Sequence, residues 1–169
     1  PPMKAQQLLT SLLLVHGGVI AAFSEPKATD VDLQKIPSPI IFKGDATTAY
    51  RDPAVVFHDG VFRMFFTLTK IEEDGRRYMF TAVSRSTNLV DWTPPRLLTP
   101  RDAKLNFSSP GNVIRFADEW VLCLQTYPRP TGERHGNDTS RLWVMRSTDL
   151  ENWSLPELLK VKGPEVPVA

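Results

Sequence analysis

The sequence predicts an all-β fold built from repeated four-stranded antiparallel sheets. Two observations carry this prediction: a strong β-hairpin pattern in the first half, and a second unit that repeats the first about sixty residues later. The chain has 169 residues, of which 41% are hydrophobic and 23% charged, so it can bury the core that such sheets require.

The first unit is predicted to span about residues 50–100. Two β-rich runs flank Asp59-Gly60, a dipeptide typical of two-residue hairpin turns. A charged stretch, 72–77, then leads to two further runs. The predicted β-rich runs are 54–58, 61–68, 78–84 and a short run after Trp92. These runs predict one four-stranded meander.

The second unit, about residues 106–160, repeats the first. Residues 85–98 align with 146–159 at eight identities in fourteen positions. Small repeated meanders are typical of propeller blades, because each sheet must stack on its neighbours. Two blades cannot close a ring, so we expect 46–169 to be the N-terminal part of a propeller that continues past Ala169. The alternative is that two chains associate to complete a ring.

The N-terminal segment differs from the repeats. Residues 1–24 contain an apolar stretch followed by small residues, which predicts a signal peptide and a secreted or periplasmic protein with no membrane residence after its removal. An N-terminal helix packed on the domain is the alternative. Residues 25–45 are polar and contain several prolines, which indicates a linker or a lead-in strand.

Charge and motifs exclude several classes of function. Twenty basic and nineteen acidic residues leave a formal charge of +1, with no Lys/Arg stripe for nucleic acid. The histidines lack metal-ligand spacing, and no glycine-rich phosphate loop is present, so we expect neither a metal nor another cofactor.

Two motifs resemble a known family. The segment Tyr50-Arg51-Asp52-Pro53 precedes the first hairpin, and Ser-Thr-(Asn/Asp)-Leu-x-x-Trp ends each repeat. Together they resemble the five-bladed β-propellers of glycoside hydrolase family 43 over roughly residues 40–169, and related sucrose-cleaving and mannoside-phosphorolysing propellers share parts of the pattern. The resemblance implies an all-β, five-bladed β-propeller of which about two blades are present here.

The resemblance also implies that Asp52 is the general base that activates water. Inversion needs a second, protonated carboxyl group about 6.5 to 9.5 Å away. The resemblance puts that glutamate in a fourth blade and a pKa-tuning aspartate in a third, both past Ala169. A turn-capping Asp before Pro is the alternative interpretation of Asp52. The remaining loop carboxylates are expected to be solvated: Glu72, Glu73, Asp74, Glu133 and Asp138.

Four further residues are candidates for substrate binding. Ser109 and Asn112 stand where the second repeat matches Asp52, and their side chains suit hydrogen bonds to sugar hydroxyls. Gln125 ends a strand near them, and Arg51 would keep Asp52 ionised by its charge. The alternative is ordinary hydrogen bonding between blades. Trp92 and Trp153 are expected to pack between blades.

The sequence thus predicts a secreted, inverting glycoside hydrolase acting on carbohydrates such as arabinose- or xylose-containing chains. A carbohydrate-binding propeller without catalysis is the alternative, since the same blades would support it. A sialidase-like propeller ranks last, because residues 147–153 lack the glycine of an Asp-box turn.

Overall fold

The computed structural model describes residues 31–36, 40–108, 111–133 and 137–160. All regular secondary structure in these ranges is β, which confirms the predicted all-β class. The predicted signal peptide, 1–24, lies outside the described residues. Within 25–45, the described residues form turns and bends and contain no strand.

The first sheet has the strand order β1-β2-β3-β4, and all neighbours are antiparallel. Its strands are β1 (Thr48–His58), β2 (Val61–Ile71), β3 (Arg77–Ser86) and β4 (Arg96–Leu97). Asp59 and Gly60 have φ angles of 50° and 72°, as the two central residues of a type I′ hairpin turn require. The predicted hairpin is therefore confirmed.

The second sheet repeats this arrangement with a divided first strand. Its strands are β5 (Phe107–Ser108), β6 (Val113–Phe116), β7 (Glu119–Thr126), β8 (Leu142–Ser147) and β9 (Glu157–Leu158). Both β5 and β6 pair with the same edge of β7, and β8 and β9 follow on its other side. The sequence predicts one first strand in this unit, at 110–116, whereas the structure has two short strands, β5 before that range and β6 within it.

The repeated motif forms the same loop in both sheets. The hydroxyl oxygen of Ser86 accepts a hydrogen bond from the Leu89 amide at 2.8 Å, and Ser147 accepts one from Leu150 at the same distance. Both leucines have a φ of 63°. The shared Ser and Leu positions therefore encode one local structure, which explains why the sequence repeats there.

The main core lies between the two sheets. Strands β2 and β3 are buried on both faces, whereas β7 is fully buried only at every second residue. The ring of Trp153 packs edge-on against Phe65 of the first sheet, with centroids 5.4 Å apart. The buried residues of this core are Phe65, Val83, Phe107, Trp120, Leu122, Leu124, Met145 and Leu150.

The opposite face of the first sheet forms a second cluster. Trp92 packs there with Phe42 and Tyr50 against Met64 and Phe66. Trp153 thus contacts the neighbouring sheet as predicted, while Trp92 packs on its own sheet beside residues of the lead-in segment.

Both sheets keep apolar side chains exposed on their outer strands. Val55 and Phe57 on β1 are exposed, and so are Ile114 and Phe116 on β6, the last at 69%. Two curled antiparallel sheets stacked in sequence, with such open faces, form a partial β-propeller. The total of five blades remains a prediction.

Candidate functional site around Asp52

Asp52 lies inside β1, at a β-bulge, and not at the start of the strand as the sequence analysis expects. Arg51 pairs with Thr67, but Ala54 pairs with Phe65, so β1 carries one more residue than β2 between these pairs. The strand begins at Thr48, opposite Lys70. The reason for the difference is that pairing continues past the bulge, which the alternation of the sequence does not reveal.

The bulge gives Asp52 an unusual backbone conformation. Its φ angle is 54°, in the left-handed region that costs a residue with a Cβ atom roughly 1–2 kcal/mol. Aspartate tolerates this region better than most residues. The next residue, Pro53, has no amide hydrogen to donate to the ladder, which suits it to a bulge. The result is an exposed carboxylate on a paired and therefore well-positioned strand.

The second sheet has a matching irregularity between β5 and β6. Ser108 pairs with Gln125 and Val113 with Leu122, which leaves two extra residues on the divided strand. Gly111 has a φ of 65° there, and a Cβ atom on it would lie 3.2 Å from the Cys123 carbonyl oxygen. The strand register thus agrees with the predicted correspondence between this segment and Asp52. Ser109 itself lies outside the described residues.

The other two candidates have different surroundings. Asn112 is exposed and its carbonyl oxygen accepts a hydrogen bond from the Cys123 amide at 3.0 Å. It directly precedes β6, the strand of the second sheet that contacts β1. Gln125 is half-buried in β7, paired with Leu142 on its other side. Their part in substrate binding remains a prediction.

Arg51 is exposed and lines two clefts. The first has a volume of about 260 Å³ and is largely apolar. Its aromatic wall includes Phe42 and Tyr50, whose ring centroids are 5.2 Å apart, and Phe66. Pro53 also lines it, so this cleft lies directly beside Asp52 in the chain.

The second cleft, of about 240 Å³, is more polar than the first. Arg51 and Arg77 both line it, together with Thr69. Thr69 is 7% exposed, and its hydroxyl oxygen has no hydrogen-bond partner in the described structure. Thr69 and Arg77 both lie in the stretch 68–77, which the sequence predicts to be a loop at the rim of the pocket, but neither stands out there because Arg77 ends a charged run and Thr69 lies in an apolar one.

A buried arginine, Arg129, lies near enough to this cleft to be affected by the charges of Arg77 and Arg51. Arg129 is 6% exposed, and its Nε atom has no partner within the part of the chain that the structure describes. Its guanidinium lies over the Tyr127 ring, 4.9 Å from the centroid. Burial, and next the charges of Arg77 and Arg51, lower the pKa of Arg129. The only sequence signal is its position between two prolines in a loop.

Two of the loop carboxylates have lowered pKa values. A hydrogen bond from the Tyr78 hydroxyl, at 2.7 Å, is the largest effect lowering the pKa of Asp74. Arg101 donates to both Glu72 and Asp74. A hydrogen bond from the Thr131 hydroxyl likewise lowers the pKa of Glu133. Asp74 and Glu133 are thus unsuited to donate a proton near neutral pH.

The sequence predicts that the two longest polar loops, 68–77 and 127–141, rim the pocket. The first loop is shorter than the expected 68–77, because β2 extends to Ile71 and β3 begins at Arg77. Among the described residues, no group of three His, Cys, Asp or Glu side chains could hold a metal ion. In the same residues, no helix has the length and hydropathy to cross a membrane.

The chain resembles two solved structures at low identity. No protein-family model and no curated protein matches it. A candidate glycoside hydrolase from Parabacteroides distasonis is 18% identical with a TM-score of 0.47, covering 63% of this chain and 32% of that one. The catalytic domain of a glycoside hydrolase family 62 α-L-arabinofuranosidase from Coprinopsis cinerea is 18% identical with a TM-score of 0.43, covering 69% and 34%. The chain thus spans about a third of the length of these structures.

Proposed function

We propose that this chain is part of a secreted glycoside hydrolase in which Asp52 acts as the general base. The observation that carries the proposal is the exposed Asp52 carboxylate, held at a bulge with a φ of 54° beside a cleft with an aromatic wall. Strained backbone at an exposed polar residue is typical of functional sites. Aromatic rings offer apolar faces of the kind that pack against sugar rings.

The mechanism we propose is inversion. Asp52 takes a proton from water while a carboxylic acid on the other side of the bond protonates the leaving oxygen. Because the pKa values of Asp74 and Glu133 are lowered, the proposal assigns the acid to a part of the protein outside the described residues. Arg51, Ser109, Asn112 and Gln125 remain the proposed sugar contacts, and arabinose- or xylose-containing chains the proposed substrates.

The test is hydrolysis by protein expressed from the complete reading frame that encodes this chain. Release of reducing sugar is measured on arabinose- and xylose-containing oligosaccharides, and proton NMR identifies the anomer that forms first. Release with inverted configuration is the expected result. Retention would contradict the mechanism, and sugar binding without any release would favour the non-catalytic carbohydrate-binding propeller.

A further inference from the structure

We propose that the polar cleft formed by Arg51, Thr69 and Arg77 binds the carboxylate of an acidic sugar. The inference rests on the proposed function, since it names a substrate class for a cleft lined by Arg51, which directly precedes Asp52. The observations that support it are the residues that line the cleft and the buried guanidinium of Arg129 near it.

The first argument is the unpartnered hydroxyl of Thr69. A buried polar group without a hydrogen bond is unfavourable, because it has lost its hydrogen bonds to water. Thr69 is 7% exposed and lines the cleft, so its hydroxyl group can donate a hydrogen bond to a ligand oxygen in the cleft. The apolar side chain of Met79 lines the same cleft, so the Thr69 hydroxyl does not lie on a surface that is polar throughout.

The second argument is the concentration of positive charge. Arg51 and Arg77 line the cleft, and Arg129 lies close enough for both charges to depress its pKa. Among the described residues, no ion pair involves any of these three guanidinium groups. Positive charges that lie near one another repel, and a bound anion would offset this repulsion.

One buried residue, Asn106, connects the backbone segments that carry two of the arginines. The side chain of Asn106 accepts a hydrogen bond from the Met79 amide at 2.6 Å and donates one to the Arg77 carbonyl at 3.3 Å. The backbone carbonyl oxygen of Asn106 accepts a hydrogen bond from the Tyr127 amide at 3.0 Å. Tyr127 lies at the start of the loop that carries Arg129. Asn106 thus joins the Arg77 and Arg129 segments in one arrangement.

The acidic groups nearby are occupied by other donors. Asp45 also lines the cleft, and its Oδ1 atom accepts hydrogen bonds from the Thr47 amide and hydroxyl and the Thr48 amide, at 2.7 to 2.8 Å. Glu133 accepts hydrogen bonds from Thr131. Both carboxylates accept hydrogen bonds within their own loops, and in the described part of the chain neither forms an ion pair with the three arginines, although the charge of Arg129 contributes to lowering the pKa of Glu133.

The chemistry of the cleft favours a carboxylate on a sugar. The guanidinium group is a planar fork of donors that matches carboxylate oxygens in pairs. A volume of about 240 Å³ is smaller than the ~300–1,000 Å³ of sites for drug-sized ligands, and suits a single sugar-sized group. Because Arg51 directly precedes Asp52, an acidic sugar held here would lie next to the proposed base.

The test is calorimetric titration of the protein from the complete reading frame with three probes. The probes are a glucuronosyl-xylose disaccharide, its neutral methyl ester and inorganic phosphate. The variants are Arg77→Gln, the near-isosteric Thr69→Val, and Arg115→Gln, which removes an exposed arginine on β6 as a matched control. Near-ultraviolet circular dichroism confirms that each variant is folded.

We expect the acid to bind and the ester to bind at least about tenfold more weakly, since one charge-assisted hydrogen bond accounts for such a difference. Arg77→Gln and Thr69→Val should each weaken acid binding, and Arg115→Gln should not. Equal binding of acid and ester, or tight binding of phosphate alone, would overturn the inference and leave neutral-sugar hydrolysis untouched. Selective acid binding without hydrolysis of any substrate would uphold the anion site and contradict the proposed function.

Discussion

The Glu151 carboxylate of the second sheet is bound by Arg63 of the first, at 3.0 Å from Nε and 2.9 Å from Nη2. The Arg63 side chain is 9% exposed, so this pair is largely screened from water. Arg85 and Arg96 of the first sheet also donate to Glu151. In the first repeat the equivalent residue is Val90, so the acid belongs specifically to the contact between the two sheets.

The first prediction concerns this contact. Glu151→Gln leaves the buried Arg63 charge without its partner, and we expect the free energy of unfolding to fall by about 1–3 kcal/mol. Urea unfolding followed by tryptophan fluorescence measures the change. Glu119→Gln is the matched control, because it breaks the exposed 3.4 Å pair with Arg146 and should cost at most about 1 kcal/mol. Equal losses in the two variants would contradict the account.

The second prediction concerns the repeated loops, in which an asparagine and an aspartate occupy opposite positions. Asn88 donates to Asp91 at 2.9 Å in the first loop, whereas Asn152 donates to Asp149 at 2.8 Å in the second. Asn88→Asp alone therefore places two carboxylates together and should destabilise the protein. Adding Asp91→Asn should restore stability, with a coupling of about 0.5–3 kcal/mol in a double-mutant cycle. Additive losses would show that the two loops are not equivalent.

The third prediction concerns acid stability. Hydrogen bonds from the Asn152 amide, the Asn152 side chain and the Glu151 amide lower the pKa of Asp149 well below its usual range. A lowered carboxyl pKa stabilises the folded state above the unfolded pKa of about 3.9, and this stabilisation is lost as the pH falls toward the folded value. Asp149→Asn should therefore flatten the fall of the melting temperature below about pH 4. An unchanged acid slope would contradict this.

The fourth prediction concerns the bulge. Because Asp52 has a φ of 54°, Asp52→Gly removes the left-handed penalty, whereas Asp52→Ala retains it. We expect the glycine variant to exceed the alanine variant in free energy of unfolding by about 1 kcal/mol. Thermal unfolding measures the difference. If alanine equals glycine, the strand does not hold Asp52 in a strained conformation.

The sequence predicted the repeated parts of the fold well, because their structure is encoded locally. The Asp59-Gly60 turn and the two Ser-x-x-Leu loops depend on residues that are close together in the sequence. The bulge at Asp52 and the division between β5 and β6 depend on pairing with a neighbouring strand. Such register changes leave no periodic signal in the sequence, and so they were missed.

The candidate site was predictable only in part for the same reason. Arg51 and Asp52 are adjacent in the sequence and share a motif. Arg77 and Arg129 are brought near Arg51 by strand pairing and by the buried Asn106, which are long-range contacts. The position of Arg129 between two prolines gives no sign that its guanidinium is buried.

The role of Asp52 as the general base is tested by comparing sugar release by the unchanged protein with release by the Asp52→Asn variant. Asparagine keeps the size of the side chain and tolerates positive φ, so the fold should be preserved. We expect the rate to fall by about 10²–10⁴-fold, the contribution of a general base. Asp59→Asn, at another exposed aspartate with a φ of 50°, is the matched control and should retain full activity. An Asp52→Asn variant that releases sugar at the original rate would contradict the account.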